Sequence, residues 1–352
     1  MHSNRVNLAA AAFLVILGIV STGIVASAYT SNPQNKGPES PISLLVPASI
    51  GSGALGTTTV AGSYSTPLGR SQPHYFLQEG KASNGTLPSF SSNDVTYHGG
   101  PTMHISISYT IFWLPSGKNF GQTSSNNSAY MSLINRFLND TSDTSYYNIL
   151  SQYPDNISGT PLDKSILGGS YLDTIPYPVD GTQANPLHDS DIQTEVTNAI
   201  KANNWVPGPN KMFHVFTGYG IESCFDPTNF ACTFTVYCAY HDFFTKGSQS
   251  IIYSNMPDFN GITGHCTPRQ RPFPNSDSYA DPEINILSHE LFEAVSDPQL
   301  NAWTDSFSNE IGDKCAWNFG NVNPDGSNLL LNGHNYLVQL EWSNYGGCAL
   351  SY

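Results

Sequence analysis

A single α/β or α+β domain, with a mixed central sheet flanked by helices and a disulfide-stapled C-terminal part, is the fold class this sequence predicts. Helical and strand-like patterns are interspersed over about 260 residues, as one layered domain requires. All six cysteines lie after residue 220, so any covalent staples fall in the C-terminal part of the chain. The 352 residues fit one large domain or two modest ones at roughly 150 residues each, and no internal repeat divides them. With 39% hydrophobic residues, including 18 Phe, 19 Tyr and 5 Trp, the composition is that of a folded chain. A net charge of −14, from 13 Lys plus Arg against 27 Asp plus Glu, leaves no basic stripe to follow a phosphate backbone and excludes nucleic acid as a partner.

Residues 1–28 read as a secretory signal peptide. Arg5 precedes an apolar run from Leu8 to Val25, and Ala26-Ser27-Ala28 supplies the small residues of a cleavage site. The rival is an uncleaved anchor, and contact with a membrane is expected only if residues 8–25 remain in that role. Residues 29–92 carry five charges (Lys36, Glu39, Arg70, Glu79, Lys81) among many Gly, Pro, Ser and Thr, and read as a flexible linker with little regular structure. The globular domain is assigned to residues 93–352.

Met103 to Phe112 alternates apolar and polar residues, the period of a half-buried strand. Tyr130, Leu133, Ile134, Phe137 and Leu138 recur at helical steps. So do Ile192, Val196, Ala199 and Ile200 behind the capping stretch Asp189-Ser190-Asp191. Met212–Phe216, Gln249–Tyr253 and Tyr336–Trp342 read as further strands. A helix is predicted from 282 to 296, with Asp281 as N-cap, Pro282 at the first position, Glu283 complementing the dipole and Pro298 at the exit. Its Ile284, Leu287, Leu291, Phe292 and Val295 share one face, which the pattern buries, while His289 and Glu293 stack at i, i+4 on another.

That helix carries the chemistry. An H-E-x-x-H helix binds zinc through its histidines and uses the glutamate as general base; here the spacing survives as His289-Glu290-x-x-Glu293. Downstream, Asn309-Glu310-Ile311-Gly312-Asp313 resembles the Asn-Glu-x-x-x-Asp stretch of thermolysin-like peptidases, with one residue fewer between the acids. His289, Glu293 and Glu310, with Asp313 beside them, are therefore the candidate metal ligands. Glu290 is the candidate base for a metal-bound water, and His241 a candidate electrophile or proton donor. Zinc is the first choice of divalent metal, with manganese or calcium as alternatives because a His-Glu-Glu set is hard and anionic. Asp297, Asp305, Glu310 and Asp313 offer a competing reading as an oxygen-rich calcium site. The plainest alternative leaves the carboxylates solvated.

An even number of cysteines in an exported chain favours disulfides, with fifteen pairings open to Cys224, Cys232, Cys238, Cys266, Cys315 and Cys348. Asn84, Asn126, Asn139 and Asn156 begin glycosylation sequons. Serine catalysis lacks a G-x-S-x-G elbow. Trp303, Trp317, Trp342, Tyr336 and Tyr345 suggest an aromatic sugar platform, and Glu290 with Glu310 a glycosidase pair.

The chain resembles the phosphate-induced protein family, whose plant members are the EXORDIUM-like proteins of the apoplast. The matching pieces run from Tyr97-His98-Gly99-Gly100-Pro101 through Cys238-Ala239-Tyr240-His241 and Ser288-His289-Glu290-Leu291-Phe292-Glu293. They continue with Asn301-Ala302-Trp303, Glu310 to Cys315, Tyr336 to Gln339 and Cys348. The resemblance implies secretion and a role at the cell surface, linked in plants to growth control. It supplies no established reaction, and the long linker with Cys224 and Cys232 departs from the plant pattern and points to a microbial relative. Together these readings predict an extracellular or cell-surface metal-dependent hydrolase acting on a peptide. The alternative is a non-catalytic surface protein that binds a glycan or another partner and keeps the acidic cluster for a structural metal.

Overall fold

The computed structural model describes residues 74–79, 94–226, 231–233, 235–258 and 265–352. The first half runs β1 (His74–Leu77), β2 (Thr96–Tyr97), β3 (Ser106–Trp113), α1 (Asn127–Asp140), β4 (Ser165–Asp173), β5 (Leu187–His188), α2 (Asp189–Ala202) and β6 (Lys211–Thr217). Then follow β7 (Ser223–Asp226), β8 (Ala231–Cys232), β9 (Tyr237–Lys246), β10 (Gln249–Pro257) and α3 (Ala280–Ser296). The chain closes with β11 (Trp303–Thr304), β12 (Leu329–Leu331), β13 (His334–Tyr336), β14 (Glu341–Ser343) and β15 (Gly347–Ala349).

Six strands form one sheet in the order β1-β9-β10-β6-β3-β4. β10, β6, β3 and β4 are parallel neighbours, whereas β9 runs antiparallel to both β10 and β1. This is the mixed sheet flanked by helices that the sequence predicts. Alternation along the strands sorts the core into two layers. Phe112, Met212, Phe216, Ile252 and Met256 pack with α1 and α3. Tyr109, Ile111, Trp113, Phe213, Val215 and Tyr253 pack with Ile192, Val196 and Ala199 of α2. Helices on both faces explain why β3 is almost wholly buried, not half-buried as its alternation suggests. Its polar positions, Ser106, Ser108 and Thr110, lie in the interior and hydrogen-bond to Ser165, His214 and Asn135.

Three local expectations are corrected. α3 begins two residues before Pro282, and the capping is done by Asp277, whose Oδ1 accepts from the Tyr279 and Ala280 N–H groups at 3.0 and 2.9 Å. Asp281 lies inside the helix and accepts from Asn275 and Asp277 instead. The helix is also buried on every side, not one, because its polar face is covered by the C-terminal segments. Tyr336–Trp342 is not one strand: β13 ends at Tyr336, β14 begins at Glu341, and the residues between hydrogen-bond through Asn328 and Asn285. Asn332-Gly333, both at positive φ, forms the hairpin turn that ties β13 to β12.

The linker expected over residues 29–92 contains a strand, β1; most of that segment and the expected signal peptide lie outside the described residues. No helix among the described residues is long and apolar enough to cross a membrane. The cysteines pair as Cys224–Cys232, Cys238–Cys266 and Cys315–Cys348. Among the sequon asparagines Asn139 and Asn156 are exposed and Asn126 is half-buried, while Asn84 lies outside the described residues.

Candidate metal centre

The site is built where α3 crosses the sheet. Register places His241 of β9 opposite Ser254 of β10, Ser254 opposite His214 of β6, and His214 opposite Thr110 of β3, so one polar row crosses the sheet on its α1/α3 face. His214 is held between the Ser254 and Ser108 hydroxyls at 2.8 and 3.2 Å, and burial pushes it down to about 3, so it is neutral at ordinary pH. His241, at the other end of the row, meets α3 instead. Its Nδ1 stands 3.3 Å from Glu290 Oε2 and 3.8 Å from Glu293 Oε2. Its Nε2 stands 3.3 Å from the Asp297 carbonyl and 3.8 Å from Glu310 Oε1.

On the far side of Glu293 a second group assembles. His289 Nε2 is 3.1 Å from Glu293 Oε1 and 3.9 Å from Asp313 Oδ1. Gln339 Nε2 holds His289 Nδ1 at 3.0 Å and the Gly312 carbonyl at 2.9 Å, and the Asp313 N–H donates to Glu293 Oε1 at 2.9 Å. Gly312 is required here by proximity alone, since a Cβ would stand 2.6 Å from His289 Nδ1 and 2.9 Å from Glu293 Oε1. Phe76 of β1 stacks on the His289 ring with centroids 4.1 Å apart, and Trp317 stacks on Phe76 in turn.

His241, His289, Glu290, Glu293, Asp297 and Glu310 expose 0% of their surface. Crowding of like charge is severe. Burial, then Glu293, Asp297, Asp313 and Glu290, hold the Glu310 carboxyl well above its usual range. Burial, then Glu293, does the same to Glu341. Burial holds His289 below its ordinary value, opposed by Glu290 and Asp313.

All six site residues expected from sequence therefore converge, but in an arrangement the sequence does not give. Atoms of His241, Glu293 and Glu310 that could ligate a metal lie within 4.8 Å of one another, and so do those of His289, Glu293 and Asp313. His289 and Glu310, expected side by side, thus fall in different trios. Asp305 does not join a calcium cluster: Lys314 Nζ binds it at 3.1 Å and Asn309 closes a turn on it. Asp297 Oδ1 instead receives the Asn301 and Ala302 N–H groups at 2.6 and 2.7 Å. The aromatic platform is not formed either. Trp303 packs on Tyr97 and Tyr153, Trp317 on Phe76 and Phe319, and Lys314 lies over Trp342. The roles of Gln339, Gly312 and Phe76 are parts that sequence reasoning missed; Gly312 and Gln339 lie in segments that carry the family resemblance, and Phe76 in a short apolar run.

The chain is similar to an EXORDIUM-like protein. It is 26% identical over 302 residues to Protein EXORDIUM-like 5 of Arabidopsis thaliana, an alignment covering 72% of this chain and 76% of that protein. This similarity supports the resemblance read from the residues. No family model and no solved structure matches. The three disulfides and the plant relative are consistent with an extracellular protein.

Proposed function

We propose that the protein is an extracellular member of the EXORDIUM-like group that works as a metal-dependent hydrolase, with a peptide as the first substrate class. The observation that carries this reading is Glu290 Oε2 beside His241 Nδ1 at 3.3 Å, at the rim of the His241–Glu293–Glu310 trio. Zinc bonds of about 2.0–2.2 Å put tetrahedral ligand atoms roughly 3.3–3.6 Å apart; His241 Nε2 stands 3.8 Å from Glu310 Oε1, near that span and long for a hydrogen bond, and the trio offers one atom from each residue within 4.8 Å of the others. The chemistry a bound divalent cation supplies is acidification of water. Glu290 Oε2 would accept that proton, and His241, ligating through Nε2, would steady the Glu290 carboxylate through its Nδ1–H.

A second reading is favoured by complete burial: the same cluster serves as a structural metal site in a non-catalytic glycan- or partner-binding surface protein. Glu290→Gln separates the two. It keeps shape and removes the base, so the hydrolase reading expects turnover to fall at least 100-fold with metal content and melting temperature unchanged. Full turnover in that variant would overturn the mechanism. The measurement pairs elemental analysis with a screen of peptide substrates, wild type beside variant.

A further inference from the structure

The two oxygens of Glu293 face different histidines. Oε2 points toward His241 and Oε1 lies 3.1 Å from His289 Nε2, with Asp313 Oδ1 a further ligand atom on the His289 side. His289 Nε2 is fully buried and makes no hydrogen bond, although Glu293 Oε1 is close enough for one. A carboxylate with one oxygen turned to each of two ligand sets is the bridging element of two-metal sites, whose ions lie about 3.5–4 Å apart.

We infer that the centre binds two divalent cations bridged by Glu293, one held by His241 and Glu310 and the other by His289 and Asp313. The inference rests on the reading of this cluster as a metal centre and deepens it. The ligand sets are hard and mixed, two carboxylates and one imidazole each, which suits zinc or manganese. For Nε2 of His289 to ligate, its Nδ1 must carry the ring proton. Gln339 can accept that proton's hydrogen bond only by turning its amide over, which presents Oε1 and gives up the bond to the Gly312 carbonyl. Gly312, without a Cβ, leaves room beside the imidazole.

The test uses the full secreted chain, stripped with chelator, reloaded with Mn2+ and dialysed against metal-free buffer. Elemental analysis is expected to return two equivalents, falling to one in Asp313→Asn and to one in Glu310→Gln. Electron paramagnetic resonance is expected to change from the spectrum of a coupled manganese pair to that of an isolated ion in either variant. Both substitutions keep side-chain shape, and near-ultraviolet circular dichroism checks the fold. One equivalent in the wild type, retained in Asp313→Asn and lost in Glu310→Gln, would overturn the second ion and leave the hydrolase proposal standing. Two equivalents untouched by Asp313→Asn would put the second ion elsewhere and overturn the inference. No manganese or zinc in the wild type would overturn both readings.

Discussion

Glu195 of α2 is a buried acid remote from the candidate metal centre. Burial, and then the Asp173 carboxylate at the end of β4, push it up to about 8, while Tyr171 and Tyr177 nearby stay neutral phenols. Between its ordinary value of 4.5 and about 8 the folded state holds a proton that the unfolded chain has released. Folding stability from this group is therefore complete at the acid end of that window and is lost as pH rises through it. The denaturant midpoint is expected to fall between pH 5 and pH 8, and Glu195→Gln, which mimics the protonated acid, is expected to flatten that decline. An unchanged slope in the variant would remove Glu195 as its source. Glu195 falls on the i, i+3, i+4, i+7 stripe shared by Ile192, Val196 and Ala199, so its burial follows from the helical period, whereas its acid partner Asp173, on a distant strand, is not legible without the fold.

β1 shows what a single short element contributes. Four residues pair with β9 in the register His74 to His241, and Phe76 enters the main core against His289. Truncating a fully buried phenylalanine costs about 3–5 kcal/mol. Phe76→Ala is accordingly expected to lower the melting temperature by many degrees and to loosen His289; a shift of under a degree or two would mean that β1 does not dock in solution. The Ser- and Gly-rich surroundings of β1 hide it, since its stability comes from pairing with residues 160 to 167 positions away. α3, by contrast, is legible to within two residues of its start because its period is local, although its cap falls to Asp277 and not to Asp281. His289, Glu290 and Glu293 could be read from that one helix. The grouping of the candidate ligands could not, because His241 arrives from a strand and Glu310 and Asp313 from the segment after β11, and only the register of β9 under α3 decides which histidine meets which acid.

Across the whole molecule the staples follow sequence neighbourhood. The three disulfides close separations of 8, 28 and 33 residues, each after residue 220. Counting cysteines gives the oxidised state but not the pairing, which needs the strands β7, β8 and β9 in place. Denatured, unreduced mature protein is expected to show no reactive thiol with a maleimide probe. Removing Cys315–Cys348 by a double serine substitution is expected to cost about 2–5 kcal/mol. A reactive thiol would reopen Cys238 or Cys315 as a metal ligand. One consequence of the sheet order reaches beyond the site. β9 is an interior strand only because β1 lies against it. Take β1 away and β9 presents a row of bare backbone donors and acceptors, a template on which any extended segment, including one from another copy, can add itself. Proteolytic trimming of the amino-terminal segment would then change how these molecules keep apart from one another, even where the core survived it.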